Sequence, residues 1–163
     1  MFIQKIFHIN LGAEQTRTRL SNLQIFRRHL EGVQKAVITV DGVAQFDCVT
    51  SNGFRAHAVV VELPTQDKNQ VLFRSTAGNV ELAGLIEFFE VKDDLTEVQL
   101  TLEYAIKSPV HSVLDSVTAS MERFINRALG SLEAAINGEA HHPALVKNSS
   151  APQFVAHLPQ FAQ

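Results

Sequence analysis

The sequence predicts an α+β domain, in which a curved seven-stranded antiparallel sheet with two short helices is closed by one long C-terminal helix packed across it. Three observations predict this. Between Val33 and Ile106 apolar residues recur with a period of two, and clusters of turn-forming residues interrupt them at short intervals. The last of these strands alternates cleanly enough to have one apolar and one wet face. After Ser108-Pro109 the period changes to that of a helix and holds for about seven turns.

The elements follow in order. Phe2 to Ile9 alternates as a strand, with Ile3, Phe7 and Ile9 among its apolar positions. Two short helices fit Ala13 to Leu20 and Leu23 to Leu30, because Ser21-Asn22 is a stop-and-recap signal and Glu31-Gly32 ends the second. Six strands come next: Val33 to Val40, Val43 to Thr50, Phe54 to Leu63, Gln70 to Thr76, Val80 to Val91 and Glu97 to Ile106. Their separators are Asp41-Gly42, Ser51-Asn52-Gly53, Pro64 to Asn69, Ala77-Gly78-Asn79 and Lys92-Asp93-Asp94, the punctuation of a serial meander.

In the final strand Val98, Leu100, Leu102, Tyr104 and Ile106 alternate with Glu97, Gln99, Thr101, Glu103 and Ala105, so the sheet needs a cover on one side. Ser108 reads as the cap and Pro109 as the first residue of the covering helix, where a missing amide hydrogen costs nothing. Val113, Leu114, Val117, Met121, Phe124, Ile125, Ala128, Leu132 and Ile136 form its apolar stripe, with Glu122, Arg123, Arg127 and Glu133 elsewhere. Ending near Ile136, it would be about 40 Å long. Beyond Asn137-Gly138 no period persists, which divides the chain into a domain of residues 1–137 and a tail of residues 138–163 carrying Phe154, Val155, Leu158 and Phe161.

Composition narrows the function. A chain of 163 residues, 45% hydrophobic, has the material for one core. Seventeen acidic residues against fourteen Lys and Arg give a net charge of −3, the opposite of what phosphate-backbone binding uses, so no nucleic-acid partner is expected. The N-terminus lacks a basic-then-apolar leader and charges interrupt every hydrophobic run, so a soluble, cytoplasmic protein without a transmembrane segment is expected. The single cysteine, Cys48, permits no intrachain disulfide and reads as a small core residue.

Chemistry-bearing motifs are sparse. His141 and His142 are adjacent, while His8, His29, His57, His111 and His157 are scattered without metal-ligand spacing. No serine elbow surrounds Ser75, Ser108 or Ser112, and no Gly-rich phosphate loop is present. Neither a metal nor any other cofactor is expected.

The order of elements over residues 2–136, and in particular Val59-Val60-Val61-Glu62-Leu63-Pro64, Val71-Leu72-Phe73-Arg74-Ser75, Gly84-Leu85-Ile86-Glu87-Phe88 and Thr96-Glu97-Val98-Gln99-Leu100, resembles the START and Bet v 1-like (SRPBCC) superfamily and its bacterial polyketide cyclase/dehydrase-like lipid-binding members. One departure is Phe73, where that family often has tryptophan; this chain has none. The resemblance implies a helix-grip fold with a ligand cavity between sheet and helix. Its expected lining is Val59, Phe73, Leu82, Gly84, Ile86, Phe88, Leu100, Leu102 and Tyr104 from the sheet, with Val117, Met121 and Phe124 from the helix.

Arg55 and His57 share a strand face with Val59, and in the family's register that face looks inward. An inward Arg55 would need a carboxylate, a ligand acid or water. His57 would then be a candidate acid or base and Tyr104 an orienting hydroxyl. The alternative, both residues in solvent, stays open because a one-residue slip reverses every side chain. The resemblance leaves three classes of function: a carrier of a hydrophobic small molecule such as a lipid, polyketide, quinone or aromatic compound; a polyketide cyclase, aromatase or dehydratase using His57, Arg55 or Tyr104; and an interaction module engaging a homodimer or other protein partner.

Overall fold

A computed structural model describes residues 1–22, 27–39, 42–107 and 111–140, the side chains of 111–115 and 139–140 aside. Seven strands form one antiparallel sheet: β1 (Phe2–Ile9), β2 (Val33–Ile38), β3 (Ala44–Val49), β4 (Arg55–Leu63), β5 (Gln70–Gly78), β6 (Val80–Lys92) and β7 (Leu95–Ile106). Helix α1 (Ala13–Leu20) follows β1, and α2 (His111–Ala140) follows β7. The strand order is β1-β7-β6-β5-β4-β3-β2, a meander from β2 to β7 with the first strand added beside the last. The expected elements are therefore present in the expected order.

Of the remaining expectations, residues 23–26 of the second short helix, the Ser108-Pro109 helix start, His141-His142 and the apolar tail residues lie outside the described residues. Residues 27–29 are helical.

Alternation decides what faces the helix. On β1, Ile3, Phe7 and Ile9 are buried; on β7, Val98, Leu100, Leu102 and Tyr104 are buried. The register pairs Ile3 with Leu102 and Phe7 with Val98, so cross-strand neighbours present one continuous apolar face. Each such buried aliphatic or aromatic side chain contributes roughly 1.5–3 kcal/mol.

The core is gathered in two clusters along α2. Leu132 and Ile136 pack with Phe7, Ile9, Leu20, Leu30, Phe88, Val98 and Leu100. Met121, eleven residues earlier, packs with Ile3, Ala56, Val80, Leu102 and Tyr104. The helix is thus packed against the sheet at two places along its length.

α2 runs to Ala140, past the stop expected at Asn137-Gly138. Asn137 serves as a tertiary clasp: its Oδ1 accepts the amide of Asn10 at 2.8 Å and its Nδ2 donates to the His8 carbonyl at 2.9 Å. Glu133 Oε1 accepts the His8 amide at 3.1 Å. These bonds occupy backbone groups of β1, an edge strand whose outward groups would otherwise be open to another chain.

Candidate ligand cavity

Between α2 and the sheet lies a cavity of about 320 Å³, at the lower end of the range of small-molecule sites. Its roof is the middle of α2: Phe124, Ile125, Ala128 and Leu129. The sheet side explains why the space exists. Inward positions on β3 and β4 carry Ala44, Cys48, Ala56 and Ala58, whose short side chains leave room beneath the helix. The register places Phe46 opposite Ala58 and Cys48 opposite Ala56, so the small residues cluster on adjacent strands.

Several expected residues stand in this wall: Phe73, Leu82, Ile86, Phe88, Leu100, Leu102, Met121 and Phe124. Four others do not. Val59 faces the other side of β4. Gly84 lies beneath Phe73: a Cβ at position 84 would be 2.3 Å from the ring's Cζ, so the ring covers the glycine and forms the surface in its place. Val117 is half-buried on α2 but borders no part of the cavity. Tyr104 is only 1% exposed and sits behind the wall, its hydroxyl without a hydrogen-bond partner among the described residues. Burial, and secondarily the Glu122 carboxylate, push its phenol pKa up, so it stays a neutral hydroxyl.

Of the two orientations open for Arg55 and His57, the structure has the outward one. Both are exposed, while Ala56, Ala58 and Val60 are buried. The register that buries the alanines pairs His57 with Asp47 on the outer face, where His57 Nδ1 meets Asp47 Oδ1. The reason is energetic: turning β4 over would bury the Arg55 guanidinium and the His57 imidazole, and an unpaired buried charge costs several kcal/mol. The His57–Asp47 pair therefore lies outside the cavity and cannot act on a molecule held within it.

Sequence reading missed the groups that do bring charge to the cavity. Apart from the Cys48 thiol, polar side chains in the described wall are Arg17, Ser21 and Glu62. They meet at one rim, where the end of α1 faces the end of β4. Arg17 Nη2 lies 3.5 Å from Glu62 Oε1, and Nη1 donates to the Lys68 carbonyl in the β4–β5 connection. Ser21 Oγ donates to the Arg17 carbonyl at 2.9 Å. The side chains of Arg17 and Glu62 are 36% and 26% exposed, so this rim reaches solvent. Burial raises the Glu62 pKa while the Arg17 charge opposes the rise. The available signal was parity: in Ala56, Ala58, Val60, Glu62, one carboxylate stands on an otherwise apolar face.

Cys48 lines the wall, and burial first, with the Asp47 charge second, pushes its thiol pKa up to about 11. At about pH 8 the thiolate would be about one part in a thousand, against roughly a quarter for a free cysteine. Iodoacetamide is therefore expected to label native protein about a hundredfold more slowly than urea-unfolded protein, a difference that mass spectrometry over time measures directly.

Among the described residues no cluster of His, Cys, Asp and Glu could hold a metal ion, and no helix is long and apolar enough to cross a membrane.

Sheet, clasped helix and the apolar space between them make a helix-grip fold. Among solved structures, the chain is similar to a protein from Thermus thermophilus, with a TM-score of 0.71 and 18% identity over 86% of this chain and 99% of that one. It is similar to a START superfamily protein from Mycobacterium smegmatis, with a TM-score of 0.63 and 15% identity over 85% and 98%. The Zhui aromatase/cyclase from a Streptomyces species gives 0.70 and 14% over 86% and 93%. No family model and no curated protein matches the sequence.

Proposed function

We propose that the protein binds, and carries, a hydrophobic small molecule in the cavity beneath α2. The observation that supports this most directly is the cavity itself: about 320 Å³, walled almost wholly by apolar side chains, and kept open by alanines where larger residues would fill it. Emptying such a space is costly, since an apolar void stays dry and forfeits dispersion contacts. A lipid, polyketide, quinone or aromatic body supplies the missing contacts, and a concave apolar site with a few polar groups at one end suits such ligands.

A cyclase reading takes support from the likeness to aromatase/cyclases. Its acid and base would have to come from the rim, because Arg55 and His57 are outside and Tyr104 is behind the wall. A base must come within about 3 Å of the proton it removes, and only Glu62 and Arg17 meet the cavity as charged groups among the described residues. Carriage is accordingly the primary reading.

The test is occupancy. Protein stripped by organic extraction is titrated with N-phenylnaphthylamine, an uncharged fluorophore that brightens in apolar surroundings. A saturable rise at one probe per chain is expected, together with a small molecule in the extract seen by mass spectrometry. No rise and an empty extract would show that the space holds nothing.

A further inference from the structure

We propose that the Arg17–Glu62 pair makes the cavity selective for neutral ligands and turns away free carboxylates. This rests on the reading of the cavity as a ligand site and adds the chemistry of the ligand's polar end.

The rim has one property that an apolar cavity alone does not supply: it carries both signs of charge and balances them. The Arg17 guanidinium is committed on two sides, to the Glu62 carboxylate and to the Lys68 carbonyl. An elongated amphiphile that buries its apolar body under α2 leaves its head where the wall becomes polar, beside these groups.

A hydroxyl, ketone or ester head fits there without disturbing the pair. A hydroxyl can donate to a carboxylate oxygen of Glu62, and a carbonyl can accept one of the five N–H donors of Arg17. A free carboxylate meets a different situation. Its natural partner, the guanidinium, is already engaged by Glu62, whose side chain is only 26% exposed. Seating it brings two like charges within a few ångströms of each other in a partly desolvated place. Repulsion of this kind discriminates against the wrong partner without any added contact to the right one.

The same geometry gives Arg17 a positioning role. Through one guanidinium it joins α1 to β4 and to the β4–β5 connection, so the elements that form the rim are held together by the pair that sets its charge preference.

The experiment compares decanol with decanoate, ligands of equal chain length that differ in head charge, as competitors of N-phenylnaphthylamine at about pH 8, where a carboxylic acid is ionised. With the natural protein, decanol is expected to displace the probe at concentrations at least about tenfold lower than decanoate, beyond the difference in their partition into octanol at the same pH. Glu62→Gln removes the negative charge, keeps the shape and frees the guanidinium. It is expected to strengthen decanoate about tenfold or more and to leave decanol within about threefold. His57→Ala, on the outer face, is expected to change neither.

Equal displacement by the two competitors in the natural protein, or a Glu62→Gln variant that binds decanoate no better, overturns the proposal while leaving the cavity reading intact. Failure of the probe itself to bind would instead strike the cavity reading. Glu62→Ala, which also deletes the charge, guards against a specific effect of the glutamine amide: decanoate must gain in both variants.

Discussion

Gly78→Ala is expected to destabilise the fold by about 3–4 kcal/mol, the largest single-residue effect that the backbone dictates. Gly78 ends β5 with φ of 116°, a conformation that a side chain rarely tolerates. A Cβ there would lie 2.1 Å from the His57 carbonyl oxygen and 2.9 Å from the Ala58 Cα, both backbone atoms of the neighbouring strand. The close approach has a purpose. It lets Asn79 reach β4, where its Oδ1 accepts the His57 amide at 2.7 Å and its Nδ2 donates to the Arg55 carbonyl at 2.8 Å. Those bonds satisfy β4 backbone groups beside the bulge in its pairing with β5, between Val59 and Val60. Alanine would therefore incur the strain of a positive φ, roughly 1–3 kcal/mol, and push the strands apart at a further cost of similar size. Gly42→Ala provides the reference: its φ is 74° but nothing lies within 4 Å of the added Cβ, so the backbone term stands alone at about 1 kcal/mol. Urea-unfolding midpoints of the two variants measure the difference, and equal midpoints would remove the argument for a backbone collision.

Ala58→Phe is expected to raise stability while abolishing probe binding, a combination that an ordinary packed core cannot produce. Ala58 is 5% exposed and lines the cavity, with partly buried Phe46, Phe73 and Leu82 packed around it. In a close-packed interior, adding a phenyl ring forces neighbours off their rotamers and costs roughly 1–3 kcal/mol. In an open space the ring instead recovers lost contacts, and filling a void of this kind commonly gives about 0.5–2 kcal/mol. The sign of the stability change in ligand-free protein thus reports whether the space is open. The ring would also occupy the volume a ligand needs, so affinity for N-phenylnaphthylamine is expected to fall at least about tenfold. Destabilisation with binding retained would mean that the region beside Ala58 is packed and that the ligand, if any, sits elsewhere.

The two substitutions act on different links of the same chain of causes. Gly78 sets how closely the end of β5 approaches β4, whose inward side chains line the cavity. Ala58 is one of the short side chains so presented. The cavity depends on both: strands held together at Gly78, and short side chains facing the helix.

Much of this was legible in the sequence. Alternation on β7 was strong because large apolar residues alternated with acids, an amide and a threonine, so its inward face was assigned without a partner strand in view, and Phe2–Ile9 was placed to the residue by its buried Ile3, Phe7 and Ile9. Helix α1 was equally legible at Ala13–Leu20, because Ser21-Asn22 ends it. Local propensity and burial agree in these segments, and where they agree one strand carries its own orientation.

The orientation of β4 was not legible. Its inward residues include two alanines, whose hydrophobic signal is weak, and its outward residues include Val59, Val61 and Leu63, whose signal is strong. Periodicity alone therefore favours the wrong face. Only pairing with β3, which sets Asp47 against His57 and Phe46 against Ala58, selects the correct one. The Arg17–Glu62 rim depended on the same decision, since two residues 45 positions apart become neighbours only when β4 turns Glu62 inward and α1 folds back across its end. The sequence by itself determined the order of elements, the apolar face of the last strand and the presence of a long covering helix, because each is written in local patterns. Tertiary structure decided which face of β4 is wet, that small residues leave a cavity under α2, and that its charged edge is Arg17 with Glu62, because those depend on register and on contacts distant in the chain.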